Sequence, residues 1–157
     1  MKILLLGATG RTGMLIIEEA IKKGHNISAI ARNADKLKDY NIEITEGTPY
    51  DYETVEKAMT GCEAVINTLN VSRKSESPWA PLAAPKDLIS KSASNAVKAM
   101  EKIGIKRFVA LSTIGAGRSW KTTPGILKLL VTISNLRFAF HDHGKQEGIL
   151  EKSDMDY

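Results

Sequence analysis

A single cysteine, Cys62, in 157 residues excludes an internal disulfide framework and is compatible with a reducing compartment. It follows Gly61 with no histidine near it in sequence, so it reads as a small packing residue rather than a redox group. No stretch is long and apolar enough to span a bilayer, because the longest, Gly125 to Phe140, is interrupted by Lys128, Asn135 and Arg137. Lys2 leads into only a brief apolar run that passes into glycines, which is not the pattern of a secretory leader, and a cytoplasmic location is expected. Basic and acidic residues are interspersed, so the net charge of +4 forms no run or face that would take nucleic acid. No metal is expected. With 43% hydrophobic and 25% charged residues, the chain has the composition of one soluble domain, long enough to bury a core without staples.

The most informative stretch is MKILLLGATGRTG, at the start. Lys2 to Leu6 is an almost wholly apolar run, as expected of a strand buried on both faces. From Arg11 onward Met14, Leu15, Ile17 and Ile21 recur at helical spacing, so the glycines lie between a strand and a helix. In that setting Gly7 permits a sharp turn, Gly10 a close approach to a pyrophosphate, and Gly13 tight helix packing. The helix N-terminus then presents free N–H groups to phosphate. The spacing is GxxGxxG, and the flanking strand and helix are what give it weight as a dinucleotide turn.

The remainder alternates strand and helix. A second strand, Asn26 to Ala31, follows the cap Lys22-Lys23-Gly24 and ends at Arg32. An NAD site places a carboxylate there for the ribose hydroxyls, whereas a guanidinium suits a 2′-phosphate. NADP(H) is therefore expected over NAD(H), with Arg11 as a second cation. Ile42 to Glu46 is a third strand, Asp51 to Thr60 a helix with Asp51 as N-cap and Gly61 as C-cap, and Glu63 to Leu69 a fourth strand. Asn70 to Pro85 is a long loop expected to flank a substrate pocket, with Trp79 either stacking on a planar substrate or pinning the loop to the core. Asp87 caps a helix through Lys102, ended by Gly104. Arg107 to Leu111 is a fifth strand with Ser112 and Thr113 at its carboxyl end. The fold class is α/β, a doubly wound parallel sheet of order 3-2-1-4-5 whose ligands bind outside the strand carboxyl ends. Thr122 to Phe140 is apolar with a few cations and serves as a lid, a self-association surface or an ordinary packing helix. A sixth strand is expected beyond residue 157, so that residues 1–157 form a single Rossmann domain that is C-terminally truncated.

GATGRTG, Arg32, TGCEAVINTL and KRFVALST together resemble the atypical short-chain dehydrogenase/reductases of the NAD(P)H-binding, NmrA-like type, close to the biliverdin reductase B and flavin reductase branch. The resemblance implies cofactor contacts at Gly7, Thr9, Gly10, Arg11, Thr12, Gly13, Arg32, Thr48, Leu69 and Asn70, and Ser112 beside the nicotinamide. Two departures stand out. Thr48 occupies a position where such proteins often carry Asp. No tyrosine has a lysine four residues on, and His141 and Lys145 of HDHGK occupy the place of that Tyr-x-x-x-Lys pair. On a helix these two share a face, which makes His141 a candidate proton donor and Lys145 a ribose contact, although Asp142 and His143 also fit a polar surface turn. Two activities remain open: an NADPH-dependent oxidoreductase delivering hydride to a flavin, quinone or similar small planar acceptor, with Ser112, His141 and Lys145 as its candidate catalytic residues, and a non-catalytic NADP(H) sensor.

Overall fold

Alternation along β1 (Lys2–Leu6) divides the interior in two. Leu4 and Leu6 face one side of the sheet with Ile30 of β2 (Asn26–Ala31), Val65 of β4 (Ala64–Asn67) and Phe108 of β5 (Arg107–Ala110). Ile3 and Leu5 face the other with Ile27, Ala29 and Ala31. The second face is covered by Ile17 and Ala20 of α1 (Arg11–Lys22). The first is covered by α2 (Tyr52–Ala58), by α3 (Leu88–Ile103) through Ala93, Ala96, Val97 and Met100, and by Leu150 of α5 (Leu136–Lys152). The computed structural model describes residues 1–157. Its five strands, with β3 at Glu43–Glu46, are all parallel in the order β3-β2-β1-β4-β5, the doubly wound arrangement expected from the alternation of elements.

Several boundaries differ from the sequence reading. β4 stops at Asn67 instead of Leu69, because the Asn67 side chain takes over the pairing: its Oδ1 accepts the Leu69 N–H at 3.1 Å. The Asn67 Nδ2 donates to Gln146 Oε1 at 2.6 Å, and Gln146 Nε2 donates to the Leu111 carbonyl at 3.0 Å. Both side chains are buried, so this network ties the carboxyl ends of β4 and β5 to α5. The apolar region 122–140 is not one helix. It forms a 3-10 turn (Gly117–Thr122), α4 (Gly125–Ile133) and the start of α5, broken at Ser134, whose backbone is extended.

The break anchors the long loop. Asn135 Nδ2 donates to the carbonyls of Trp79 and Ala80, and the Asn135 N–H donates to the Pro78 carbonyl. The loop is therefore pinned through its backbone, while the Trp79 ring is 57% exposed. Within the loop, Lys74 N–H to Pro81 O and Ala83 N–H to Ser72 O form a short antiparallel pairing. At the far sheet edge Asp156 bridges Arg107 in parallel, with the Phe108 N–H donating to the Asp156 carbonyl. No helix is long and apolar enough to cross a membrane.

Candidate functional site

The turn after β1 is built on close backbone approaches. Gly7 has φ +89, and a Cβ there would lie 2.7 Å from Thr68 Oγ1. A Cβ on Gly13 would lie 2.2 Å from the Gly7 carbonyl oxygen and 2.8 Å from Ala8 Cα, a clash with backbone that no side chain can relieve. The first turn of α1 has no side-chain cap, and the N–H groups of Arg11, Thr12 and Gly13 have no hydrogen-bond partner in the fold. Three amides aimed outward at the positive end of a helix form a donor set that fits a phosphate or pyrophosphate.

These residues open onto a crevice of about 600 Å³ at the strand carboxyl ends. Gly7, Thr9, Gly10, Arg11, Thr12, Gly13, Arg32, Thr48, Leu69 and Asn70 all line it, and Leu111 contributes from β5's exit. Arg11 and Arg32 are both exposed and neither makes an ion pair. Thr48 supports the next turn, its Oγ1 accepting the Tyr50 N–H at 3.3 Å. Tyr50 lines the crevice and donates its hydroxyl to Asp87 Oδ2 at 3.0 Å, a bond to a carboxylate that raises the phenol above its ordinary range. The long loop, expected at a substrate pocket, borders this same crevice through Ser72, Ala84 and Pro85.

His141 and Lys145 lie elsewhere. They share a second cavity of about 520 Å³ with Arg137, Trp120 and Phe140, roofed by the Gly115–Gly117 segment and floored by Val131. Ser112 lines neither space. Its hydroxyl donates to Glu147 Oε1 at 2.6 Å, and Glu147 Oε2 accepts the Arg118 N–H. The eleven residues expected at the cofactor thus divide into ten around one crevice and Ser112 between the two.

HDHGK is not a polar surface turn. Asp142 and His143 are 1% and 4% exposed on the inner face of α5. Asp142 Oδ2 accepts the N–H groups of Ile89 and Ser90, at 2.7 and 3.3 Å, and its Oδ1 accepts the Ser90 hydroxyl. It therefore caps α3 from another helix. Asp87, the expected cap, makes no capping bond and is held instead by Tyr50. Nothing local in the sequence distinguishes these two aspartates. The signal available for the second cavity was the spacing of Arg137, His141 and Lys145, which places all three on one helical face.

Burial pushes the His143 imidazole below its ordinary value of 6.5, against the opposing pull of Asp142 and Glu147, and its Nδ1 has no hydrogen-bond partner. As pH falls, the unfolded chain takes up this proton before the folded one. The contribution of His143 to stability is therefore complete above that ordinary value and is lost as pH drops below it. The urea midpoint is expected to fall between about pH 7 and about pH 5, and His143→Gln to flatten that fall. An unchanged slope in the variant would remove His143 as its cause. Cys62 is buried and its thiol is pushed up to about 11 by desolvation, consistent with packing and with no reactive thiolate at neutral pH. No group of three or more His, Cys, Asp or Glu is placed to hold a metal ion.

A family model described as NAD(P)H-binding matches residues 7–157. Among known proteins the chain is similar to the photosystem II assembly factor Ycf39 of Synechocystis, 29% identical over 119 residues, which cover 74% of this chain and 35% of that protein. The chain spans about a third of the length of the first curated relatives it matches. Among solved structures it is similar to the anaerobilin reductase ChuY of Escherichia coli O157:H7, with a TM-score of 0.79 and 22% identity over 100% of this chain and 70% of that one. It is also similar to a short-chain dehydrogenase/reductase of Veillonella parvula in complex with NADP, with a TM-score of 0.75 and 17% identity over 99% of this chain and 66% of that one.

Proposed function

The chain belongs to the NAD(P)H-binding family, and from that premise we propose that it is an NADPH-dependent reductase of a small planar acceptor such as a flavin or quinone. The observation that carries this reading is the pairing of two spaces at the strand carboxyl ends. One holds unpartnered amides and two unpaired arginines; the other is walled by aromatic rings and cations. The segment from Leu111 to Gly115 joins them, with its first residue on one and its last on the other.

NADPH, when bound, supplies the hydride. The amides of Arg11, Thr12 and Gly13 hold the pyrophosphate, and Arg32 with Arg11 takes the 2′-phosphate. Leu69, Asn70 and Leu111 wall the path toward the second cavity. Ser112, its own proton committed to Glu147, offers its oxygen as an acceptor and so orients an N–H or O–H donor. His141 is the imidazole facing the second cavity, placed to give a proton to the reduced acceptor, while Lys145 holds a hydroxyl or anion beside it. Flavins and quinones also take protons from water once reduced, so the missing tyrosine does not prevent turnover.

A second reading is a sensor in which the cofactor biases a protein-binding surface. It is favoured by the exposed apolar row Ile126, Leu129 and Ile133 on α4, at 88, 61 and 55% exposure, a surface equally suited to self-association through residues 122–140. The test is NADPH absorbance over time with FMN and a quinone offered separately and NADH run in parallel. Protein-dependent loss with NADPH preferred supports the reductase. Saturable NADP(H) binding with no turnover of either acceptor supports the sensor.

A further inference from the structure

We infer that the cavity between the Gly115–Gly117 segment, α4 and α5 selects an aromatic anion, a conjugated ring bearing a carboxylate, sulfonate or phosphate, over a neutral ring of the same shape. That this anion is the hydride acceptor rests on the reductase reading above; that the cavity prefers it does not.

Charge is the first argument. Arg137, His141 and Lys145 recur every fourth residue along α5, and all three are exposed. None makes an ion pair or donates a side-chain hydrogen bond, and the cavity lining contains no carboxylate. Elsewhere Lys2, Lys22, Lys102, Lys106, Arg107 and Arg118 are paired with acids. The carboxylates of α5 itself are all engaged: Asp142 on the α3 amides, Glu151 on the Arg118 guanidinium, and Glu147, which lies against Gly117 at the cavity's edge, on Ser112 and the Arg118 N–H. The two cations, Arg137 and Lys145, on one concave, partly apolar wall raise its potential and are relieved by a bound anion.

Shape is the second. Trp120 and Phe140 supply aromatic rings to the lining, and about 520 Å³ accommodates a fused two- or three-ring system. The walls are fixed by close contact at two glycines, Gly115 against the Phe140 ring and Gly144 against the Gly117 backbone. Gly115 has φ +95 and a Cβ there would come 3.0 Å from Phe140, while a Cβ on Gly144 would come 2.9 Å from the Gly117 nitrogen. A larger residue at 144 pushes the segment off α5, and one at 115 is strained by its positive φ.

The test compares a naphthoate with the matching naphthamide, alike in shape and different in charge, by titration calorimetry at low salt. Neither is reducible, so the result does not depend on hydride transfer. The naphthoate is expected to bind about tenfold tighter, with the preference shrinking at high salt. Arg137→Gln and, separately, Lys145→Gln are each expected to weaken naphthoate binding about threefold while leaving naphthamide unchanged. Equal affinities for the two probes, no naphthoate binding, or a preference that survives in the double variant would overturn the inference. Turnover of naphthoquinone sulfonate and naphthoquinone with NADPH, measured alongside, separates the two claims. Charge-selective binding without turnover leaves the anion site standing and removes the reductase, whereas turnover with no preference in binding or in kcat/KM does the reverse.

Discussion

Arg32→Glu is expected to raise the Kd for NADPH by roughly two orders of magnitude and to change that for NADH by less than about threefold. Arg32 lines the crevice at the carboxyl end of β2, exposed and without an ion pair, so the substitution removes no internal contact and should leave the fold intact. A charge-assisted hydrogen bond contributes about 1.5–3 kcal/mol, and reversing the charge turns an attraction to the 2′-phosphate into repulsion. The same carboxylate accepts from the ribose hydroxyls of NADH, which offsets any general loss. Fluorescence titration with both cofactors is the measurement. Equal weakening of both would show that Arg32 has no role in choosing between them.

Asp142→Ala is expected to destabilise the fold by about 3–4 kcal/mol in urea denaturation, a large share of a typical domain's stability. Asp142 is 1% exposed and accepts two amide N–H groups and a hydroxyl at the start of α3. Its loss leaves those donors buried without partners and removes the negative charge that faces the positive end of a helix. Asp142→Asn keeps one acceptor oxygen and should fall between the two. Because Leu88, in the first turn of α3, lines the crevice proposed for the cofactor, Asp142→Ala should also weaken cofactor binding. A change in stability under about 1 kcal/mol would mean that the cap is dispensable.

Those two positions differ in how far they were legible in the sequence. The glycines, the order of strands and the place of Arg32 at the exit of β2 were readable because each depends on local chemistry: a turn that admits no Cβ, and apolar runs separated by helical spacing. Every crevice residue named from the sequence, apart from Ser112, lines one space for the same reason, since the strand carboxyl ends converge there. Asp142 was unreadable because its partners come from a different helix, and a five-residue polar string carries no mark of burial. Asp87 had the right type and position for a cap, yet Tyr50 holds its carboxylate. The break at Ser134 was hidden for a similar reason: what ends α4 is Asn135 reaching back to the Trp79 loop, a contact that periodicity within 122–140 does not encode.

Helix α5 separates two kinds of position along one short sequence. Asp142, His143 and Gln146 face inward, the first and last bonding to α3, to β4 and to the exit of β5, while Arg137, His141 and Lys145 face a cavity and make no ion pair or side-chain hydrogen bond, Arg137 lying over the Phe138 ring. Substitutions at the outer three therefore carry little risk to folding, and those at the inner three carry much. A lineage can drift through new ligand preferences by changing the outer row alone, with the scaffold and the crevice at the strand ends untouched. Among descendants of this chain, diversity should accumulate first at 137, then at 141 and 145 where the acceptor changes, and be scarce at 142 and 146, so that one helix records both what its bearers bind and what keeps them folded.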